Sequence, residues 1–563
     1  MERGTVDKWD YKTDVLVVGS GGGGMVAALV ARDKGCDALV IEKGSFYGGS
    51  TAMSGGAIWA PDNHFMKEAG VADSAEEALA YLKAISGGQA AEGRLRAYVD
   101  TVAEMVSYLE RNSHASYRII PGYADFYPDA DGAKAEGGRV IEPVPLDGCR
   151  LGKMRGQMRA LHPQVLVFGR VMVSLSDANV MMDTSMRGRR ATFRILGSYF
   201  LNPSRVLSRI DTRLTMGNAA VGRLRLSLAD RGIPIWLNMS ATRLVVEAGR
   251  VVGVEAEKNG ETVGIRADKG VILAAGGFPR NGEMRERYQR PPITDAWTVA
   301  CPQNTGDAIR MAQEAGAALR FMDQAWWLPT SLVPGGDMPQ MILVERSLPG
   351  SMVVNNRGRR FVNEAAPFTD VVRAQYADND DTGGAIPAFL IVDARFRKRY
   401  PLSPMLPGFT PRKYIDNGYV KVADTLEQLA EKCGIDRQGL ADEVEKLNRY
   451  AATGDDVDFR KGASVIDRYF GDPEVRPNPC LGPIDMPPYY AIELWPGDIG
   501  TGGGIDADAC ARVLREDGSP IDGLYAAGNC AAAATGNAYP GAGATIGFSM
   551  VFGYIAARHA AGC

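Results

Sequence analysis

The stretch DVLVVGSGGGGMVAALVARDKGCDALVIE, residues 14–42, decides the fold. DVLVV is a short apolar run rich in β-branched residues, as a buried strand requires. It lands on Gly19-Ser-Gly21-Gly-Gly-Gly24, and MVAALVARDKG follows with helix-forming composition and apolar spacing. A second apolar run, ALVIE, closes on Glu42, 18 residues past Gly24. Strand, glycine turn, helix, strand and acid stand in the order of a βαβ dinucleotide site. In that reading Gly19 permits the tight turn, Gly21 lets the backbone approach a pyrophosphate, and Gly24 lets helix and strand pack closely. The helix N-terminus offers free N–H groups and a positive dipole end to the phosphates. Glu42 accepts from the adenosine ribose hydroxyls, and Lys43 beside it is counted with the nucleotide site.

The motif alone does not separate FAD from NAD, and the rest of the chain does. After Glu42 comes a loop of small residues holding Ser50, Thr51, Ser54, Gly55 and Gly56, which suits an extended FAD. GVILAAGGF (270–278) is an apolar strand ending in small residues, among them Ala275 and Gly276. GLYAAGN (523–529) repeats the pattern and ends on Gly528 and Asn529. In NAYPGAGATIG (537–547), Gly543, Ala544, Thr545 and Ile546 open a helix aimed at the pyrimidine end of the flavin. A helix N-terminus suits the negative charge that end acquires on reduction. FAD is therefore the expected cofactor.

Bulk features exclude other classes. With 63 Lys and Arg against 67 Asp and Glu, the chain lacks the basic balance of a nucleic-acid binder. Its eight cysteines show no CxxC or metal-ligand spacing and its four histidines are dispersed, so neither a metal site nor a Ser-His-Asp triad is expected. MERGTVDKWDYKT lacks the apolar run of a signal peptide. No segment offers the roughly 18 uncharged apolar residues of a spanning helix. A cytoplasmic protein with reduced thiols is expected.

The set GSGGGG, EKGSFYGGSTAMSGGAIW, WPGDIGTGGGI, GLYAAGN and NAYPGAGATIG resembles the 3-ketosteroid Δ1-dehydrogenases, within the wider fumarate-reductase-like flavoproteins. The resemblance implies an α/β fold: a Rossmann-like FAD-binding domain of the two-dinucleotide-binding type with an inserted α+β substrate domain. On this division residues 1–300 and 485–563 form the flavin domain and 301–484 the substrate domain. It implies a small apolar, steroid-like ketone as substrate, hydride transfer to flavin N5, and an acceptor such as a quinone. A fumarate-type dicarboxylate reaction would need an Arg/His cluster, and 301–484 contains no histidine. Trp326-Trp327 are candidates for a cavity wall, or for ordinary core. Residues 424–454 read as a pair of amphipathic surface helices.

Dehydrogenation beside a ketone needs a hydride acceptor, a base for the α-proton and donors for the enolate-like oxygen. The resemblance gives the ketone to the Tyr539 hydroxyl and the Gly543 N–H. It places the family's proton-abstracting tyrosine in RRFVNEAAPFTD, where this chain has Phe368. The supporting tyrosine falls in GYADFYPDADG, where this chain has Phe126. Phenylalanine accepts no proton. Tyr127 standing in for Phe126, a displaced base such as Asp370 or Tyr123, and altered chemistry on another alicyclic ketone all remain open at this level. A flavin-binding homologue without catalysis is the remaining alternative.

Between Arg150 and Arg213 the chain carries eleven arginines and Lys153 against Asp177, Asp183 and Asp211. Large apolar residues, including Phe193, Phe200 and Leu201, are interleaved with them. This insertion, about 145–215, reads as an interfacial segment for anionic lipid, placing the protein peripherally on the inner face of the membrane. An oligomer interface or a solvated basic face are the alternatives.

Overall fold

The computed structural model describes residues 9–182, 185–208 and 211–563; Asp183 and Arg209 of the basic insertion lie outside them. β1 (Tyr11–Val18), α1 (Gly22–Asp33) and β2 (Ala38–Glu42) form a parallel βαβ unit. The last residues of β1 and all of β2 are buried, which is why both read as continuous apolar runs. Helix and strand meet at Gly24, where a Cβ would stand 2.1 Å from the Gly19 carbonyl oxygen. Any side chain there would push α1 off the sheet.

The chain then leaves this sheet. It builds a three-stranded sheet (Ile58–Trp59, Tyr117–Pro121 and Gly137–Pro143) and the basic insertion, whose longest helix is α2 (Met186–Phe200). The buried helix α3 (Met216–Asp230) leads back. β3 (Ile235–Leu237) pairs with β2, and β4 (Ser240–Glu247), β5 (Arg250–Lys258) and β6 (Glu261–Leu273) follow as a meander.

A second sheet comes next, from β7 (Ala325–Ser331), β8 (Gln340–Met341), β9 (Ser351–Val354), β10 (Ala388–Val392), β11 (Lys421–Ala423) and β12 (Tyr489–Thr501). Its order is β8-β7-β12-β10-β9, with β11 also on β12. α4 (Phe368–Thr382) packs on β7 through Val372 and Tyr376. The amphipathic stretch 424–454 forms helices Leu426–Cys433 and Arg437–Thr453, whose apolar sides cover the other part of this sheet. The central strand β12 lies beyond residue 484, so the chain returns to the first sheet only after Thr501. The return supplies β13 (Arg512–Leu514), β14 (Pro520–Ala526) and α5 (Ala544–Ala560), which packs beside α1.

The first sheet has eight strands, six in the order β3-β2-β1-β6-β5-β4, with β14 added along β6 and β13 paired to β14. β6 serves two partners: its start pairs antiparallel with β5, while Val271–Leu273 pair parallel with Leu524–Ala526. The C-terminal ends of β1, β6 and β14 therefore sit side by side. A parallel sheet binds its ligand at that edge, where connections leave in opposite directions.

Candidate active site

At that edge lies a cavity of about 450 Å³. Of the nucleotide-site residues expected from sequence, it is lined by Gly19, Gly21, Glu42, Lys43, Ser50, Thr51, Ser54, Gly55, Gly56, Ala275, Gly276, Gly528, Asn529, Thr545 and Ile546. Gly24 and Ala544 stand behind this wall, one between helix and strand, the other as the first residue of α5. Gly19 has φ +107°, and a Cβ there would lie 2.4 Å from the Ala274 carbonyl oxygen. The Glu42 carboxylate accepts from the Ser20 hydroxyl at 2.7 Å and from the Gly44 amide at 2.9 Å. The Thr51 hydroxyl accepts from the Gly22 amide at 3.0 Å, and the Ser50 hydroxyl accepts from the Cys301 amide and the Asn304 side chain. Lys43 turns to Thr305 and Asp307, so its ammonium is already neutralised. Ser20, Cys301 and Asn304 were missed from sequence. Only Ser20 left a signal, a hydroxyl inside the glycine turn.

These features fit FAD. An acid held by backbone and hydroxyl donors is fixed for ribose, a turn whose one side chain, Ser20, is directed to Glu42 opens the N-terminus of α1 to phosphate, and Gly543 caps α5 at the opposite end. When bound, FAD supplies a two-electron acceptor for hydride.

Beyond Gly543 the wall becomes aromatic. Tyr539 is buried, and its ring lies 5.7 Å from Phe126 and 5.2 Å from Phe368, while those two meet edge to face at 5.4 Å. All line the cavity. Tertiary folding thus gathers residues 126, 368 and 539 into one cluster, with carbon where the resemblance implies two hydroxyls. Burial pushes the Tyr539 hydroxyl up to about 12, while hydrogen bonds from the Thr545 hydroxyl and amide pull the other way. Tyr539 is therefore a neutral donor at physiological pH.

Tyr127 does not take the place of Phe126. It is absent from the cavity wall, and its hydroxyl donates to Asp370 at 3.1 Å. Trp326 and Trp327 are likewise absent from the wall: Trp326 meets Tyr539 edge-on at 5.4 Å, and Trp327 packs against Tyr376. Of the displaced bases considered above, Tyr123 lines the wall and Asp370 does not, and polar wall residues outside the sequence motifs include His162, Arg346 and Tyr469. Burial holds the His162 imidazole down at about 4, so it is neutral. Its sequence signal was nil, since it arrives from the insertion. The one mark of Arg346 in the sequence is the charged pair Glu345-Arg346 in an otherwise apolar stretch.

The sequence profile of a family described as an FAD binding domain matches residues 14–546. The chain belongs to that FAD-binding family. Its cofactor is FAD and its fold is the α/β flavoprotein fold expected. It is an FAD-dependent oxidoreductase. A 3-oxosteroid 1-dehydrogenase of Mycobacterium tuberculosis is 43% identical over 97% of this chain and 98% of that protein. A 4-oxocyclohexanecarboxylate 2-dehydrogenase of Sinomonas cyclohexanicum is 34% identical over 98% of this chain and 93% of that one. Among solved structures, a 3-ketosteroid Δ1-dehydrogenase from Sterolibacterium denitrificans, in complex with 1,4-androstadiene-3,17-dione, superposes with a TM-score of 0.95 at 43% identity. That match covers 98% of this chain and 99% of the other.

Proposed function

We propose that this protein dehydrogenates a 3-ketosteroid, removing two hydrogens from the ring CH–CH bond beside the ketone. The observation that carries the reading is the buried Tyr539 hydroxyl at the head of α5, on the wall of one cavity that also holds the FAD-binding residues. In this reading the Tyr539 hydroxyl and Gly543 N–H hold the ketone oxygen and strengthen their hold as negative charge builds there. Phe126 and Phe368 press the substrate ring toward the flavin and exclude water. The wall is mostly apolar, as a steroid requires. The full-length similarity to 3-oxosteroid 1-dehydrogenases supports the substrate class. The test is anaerobic mixing with androst-4-ene-3,17-dione: bleaching of the oxidised flavin is expected, and a flavin that stays yellow overturns the reading.

Phe126 and Phe368 favour a second reading, a related reaction on another alicyclic ketone; similarity to the cyclohexanone-type dehydrogenase supports it. Bleaching by a cyclic ketone but not by the steroid would decide for it. A binder without catalysis would be bleached by neither.

We further propose that the insertion seats the protein on anionic lipid, where a quinone could collect its electrons. Phe193, Leu201 and Leu207 are 83%, 86% and 84% exposed, and Arg189, Arg190 and Arg194 are exposed beside them. Other arginines of the insertion are spent internally: Arg205 on Asp211 and Arg213 on Asp177. Among the described residues no helix is long and apolar enough to cross a membrane. The proposal is therefore surface contact alone.

A further inference from the structure

We infer that Tyr123 is the proton acceptor of this site, with the Arg346 guanidinium stabilising its oxyanion, in place of the hydroxyls missing at Phe126 and Phe368. The inference rests on the ketone-dehydrogenation reading above. Around Tyr539 the wall is carbon where a base is needed. Tyr127 is committed to Asp370 away from the cavity, and the Tyr469 oxygen already accepts from the Asn179 side chain. His162 accepts the Gln164 amide at Nδ1, so its proton sits on Nε2 and the ring has no acceptor to spare. Tyr123 differs from all three. It lines the cavity against Tyr469, at 4.8 Å between rings, and its hydroxyl has no hydrogen-bond partner among the described residues.

Arg346 supplies the second half. It is buried, it lines the same cavity, and it donates from Nη1 to the carbonyls of Glu364 and Ala366 and from Nε to that of Ile342. Among the described residues four other buried arginines are matched to carboxylates, Arg139, Arg205, Arg285 and Arg360. Arg94 and Arg397, like Arg346, donate to neutral oxygens, and of these three only Arg346 lines the cavity. Arg346 has no carboxylate in ion-pair contact among the described residues. Buried cations are normally paired, and an anion formed on Tyr123 would meet that charge. The groups acting on the Tyr123 hydroxyl are Tyr469, Tyr539 and Arg346. Burial, with the two tyrosines, pushes the hydroxyl well above the ordinary tyrosine range, and Arg346 works against them.

In the step, the Tyr123 oxygen bonds the α-hydrogen as a proton, and the C–H electron pair becomes the new ring double bond. The hydrogen on the adjacent carbon departs with its own pair as hydride to oxidised FAD. The substrate loses two electrons, FAD gains them, and Tyr123 returns its proton to solvent. Because the acceptor must be ionised, the rate should rise with pH across the neutral and alkaline range, about tenfold per unit below the pKa.

The test compares wild-type holoenzyme, Tyr123→Phe and Arg346→Lys with androst-4-ene-3,17-dione. Two readouts are taken: anaerobic flavin bleaching, and NMR of solvent deuterium entering the carbon beside the ketone. Tyr123→Phe should slow both by about 10²–10⁴-fold, the usual range for a positioned base, and lose the alkaline rise, with steroid affinity nearly unchanged. Arg346→Lys keeps a cation but loses the fork, and should shift the rise to higher pH while retaining FAD. Bleaching and exchange in Tyr123→Phe at wild-type rates and pH dependence overturn the Tyr123 assignment and leave the proposed activity standing. A wild type that binds the steroid yet neither bleaches nor exchanges overturns both.

Discussion

The two ends of the cavity are built from different material. At the Glu42 end the groups facing the cofactor are backbone amides, short hydroxyls and glycines, each fixed by a neighbour: Thr51 by the Gly22 amide, Glu42 by Ser20 and Gly44. At the Tyr539 end the wall is a cluster of rings, and its chemistry hangs on which rings carry an oxygen. Cofactor binding by backbone resists substitution where a Cβ would collide, as at Gly19 and Gly24. Substrate chemistry by side-chain hydroxyls changes with one atom. The same scaffold can therefore keep FAD while its acid/base residues move, and the contrast can be broken at either end.

The largest effect is expected at the cofactor end. Gly19→Val introduces a branched side chain at φ +107° against the Ala274 carbonyl. The strain alone is about 1–3 kcal/mol. The purified variant should be colourless, measured as FAD released per chain on denaturation; a yellow variant with full FAD would show that the turn tolerates side chains.

Next comes Tyr539→Phe, which removes one donor from the ketone oxygen while keeping the ring cluster. Turnover should fall on the order of 10²–10³-fold, with steroid binding affected much less. Equal losses in binding and turnover would reduce Tyr539 to a packing residue.

Adding oxygen to the cluster should act in the opposite sense. Phe368→Tyr with Phe126→Tyr should raise Δ1-dehydrogenation by about tenfold, part of what a positioned acid/base pair supplies. The gain should exceed either single change and survive in a Tyr123→Phe background, because it opens a second route for the proton. Stopped-flow bleaching rates over the set measure it. No gain at all would mean that substrate does not reach residues 126 and 368.

The smallest effect belongs to the insertion. Arg194→Gln should weaken sedimentation with anionic vesicles by about fivefold, roughly 1 kcal/mol for one surface cation near the membrane. Binding should also fade with added salt as the attraction is screened. Indifference of the wild type to such vesicles at low salt would leave Phe193 and Leu201 to another partner.

The flavin unit was legible in sequence because its constraints are local. Gly19, Gly24 and Glu42 lie within one βαβ unit, where strand, turn and helix periodicities fix geometry over a few residues. The later strands could be read as strands, and their small-residue ends as cofactor loops, for the same reason. Sequence also located the anomaly at Phe126 and Phe368, since a missing hydroxyl is visible in the letters. What it could not decide was which side chain stands nearest the gap. Tyr127 is adjacent to Phe126 in the chain, yet the backbone turns its hydroxyl to Asp370 on α4. Tyr123, Arg346 and Tyr469 reach the wall of one cavity from segments more than a hundred residues apart, with the two tyrosine rings in contact. His162 reaches the wall from the insertion while Trp326 and Trp327 stand behind it, and composition marks neither outcome. Local periodicity determined that FAD binds. Packing between distant segments, which depends on the whole core, decided which groups surround its substrate.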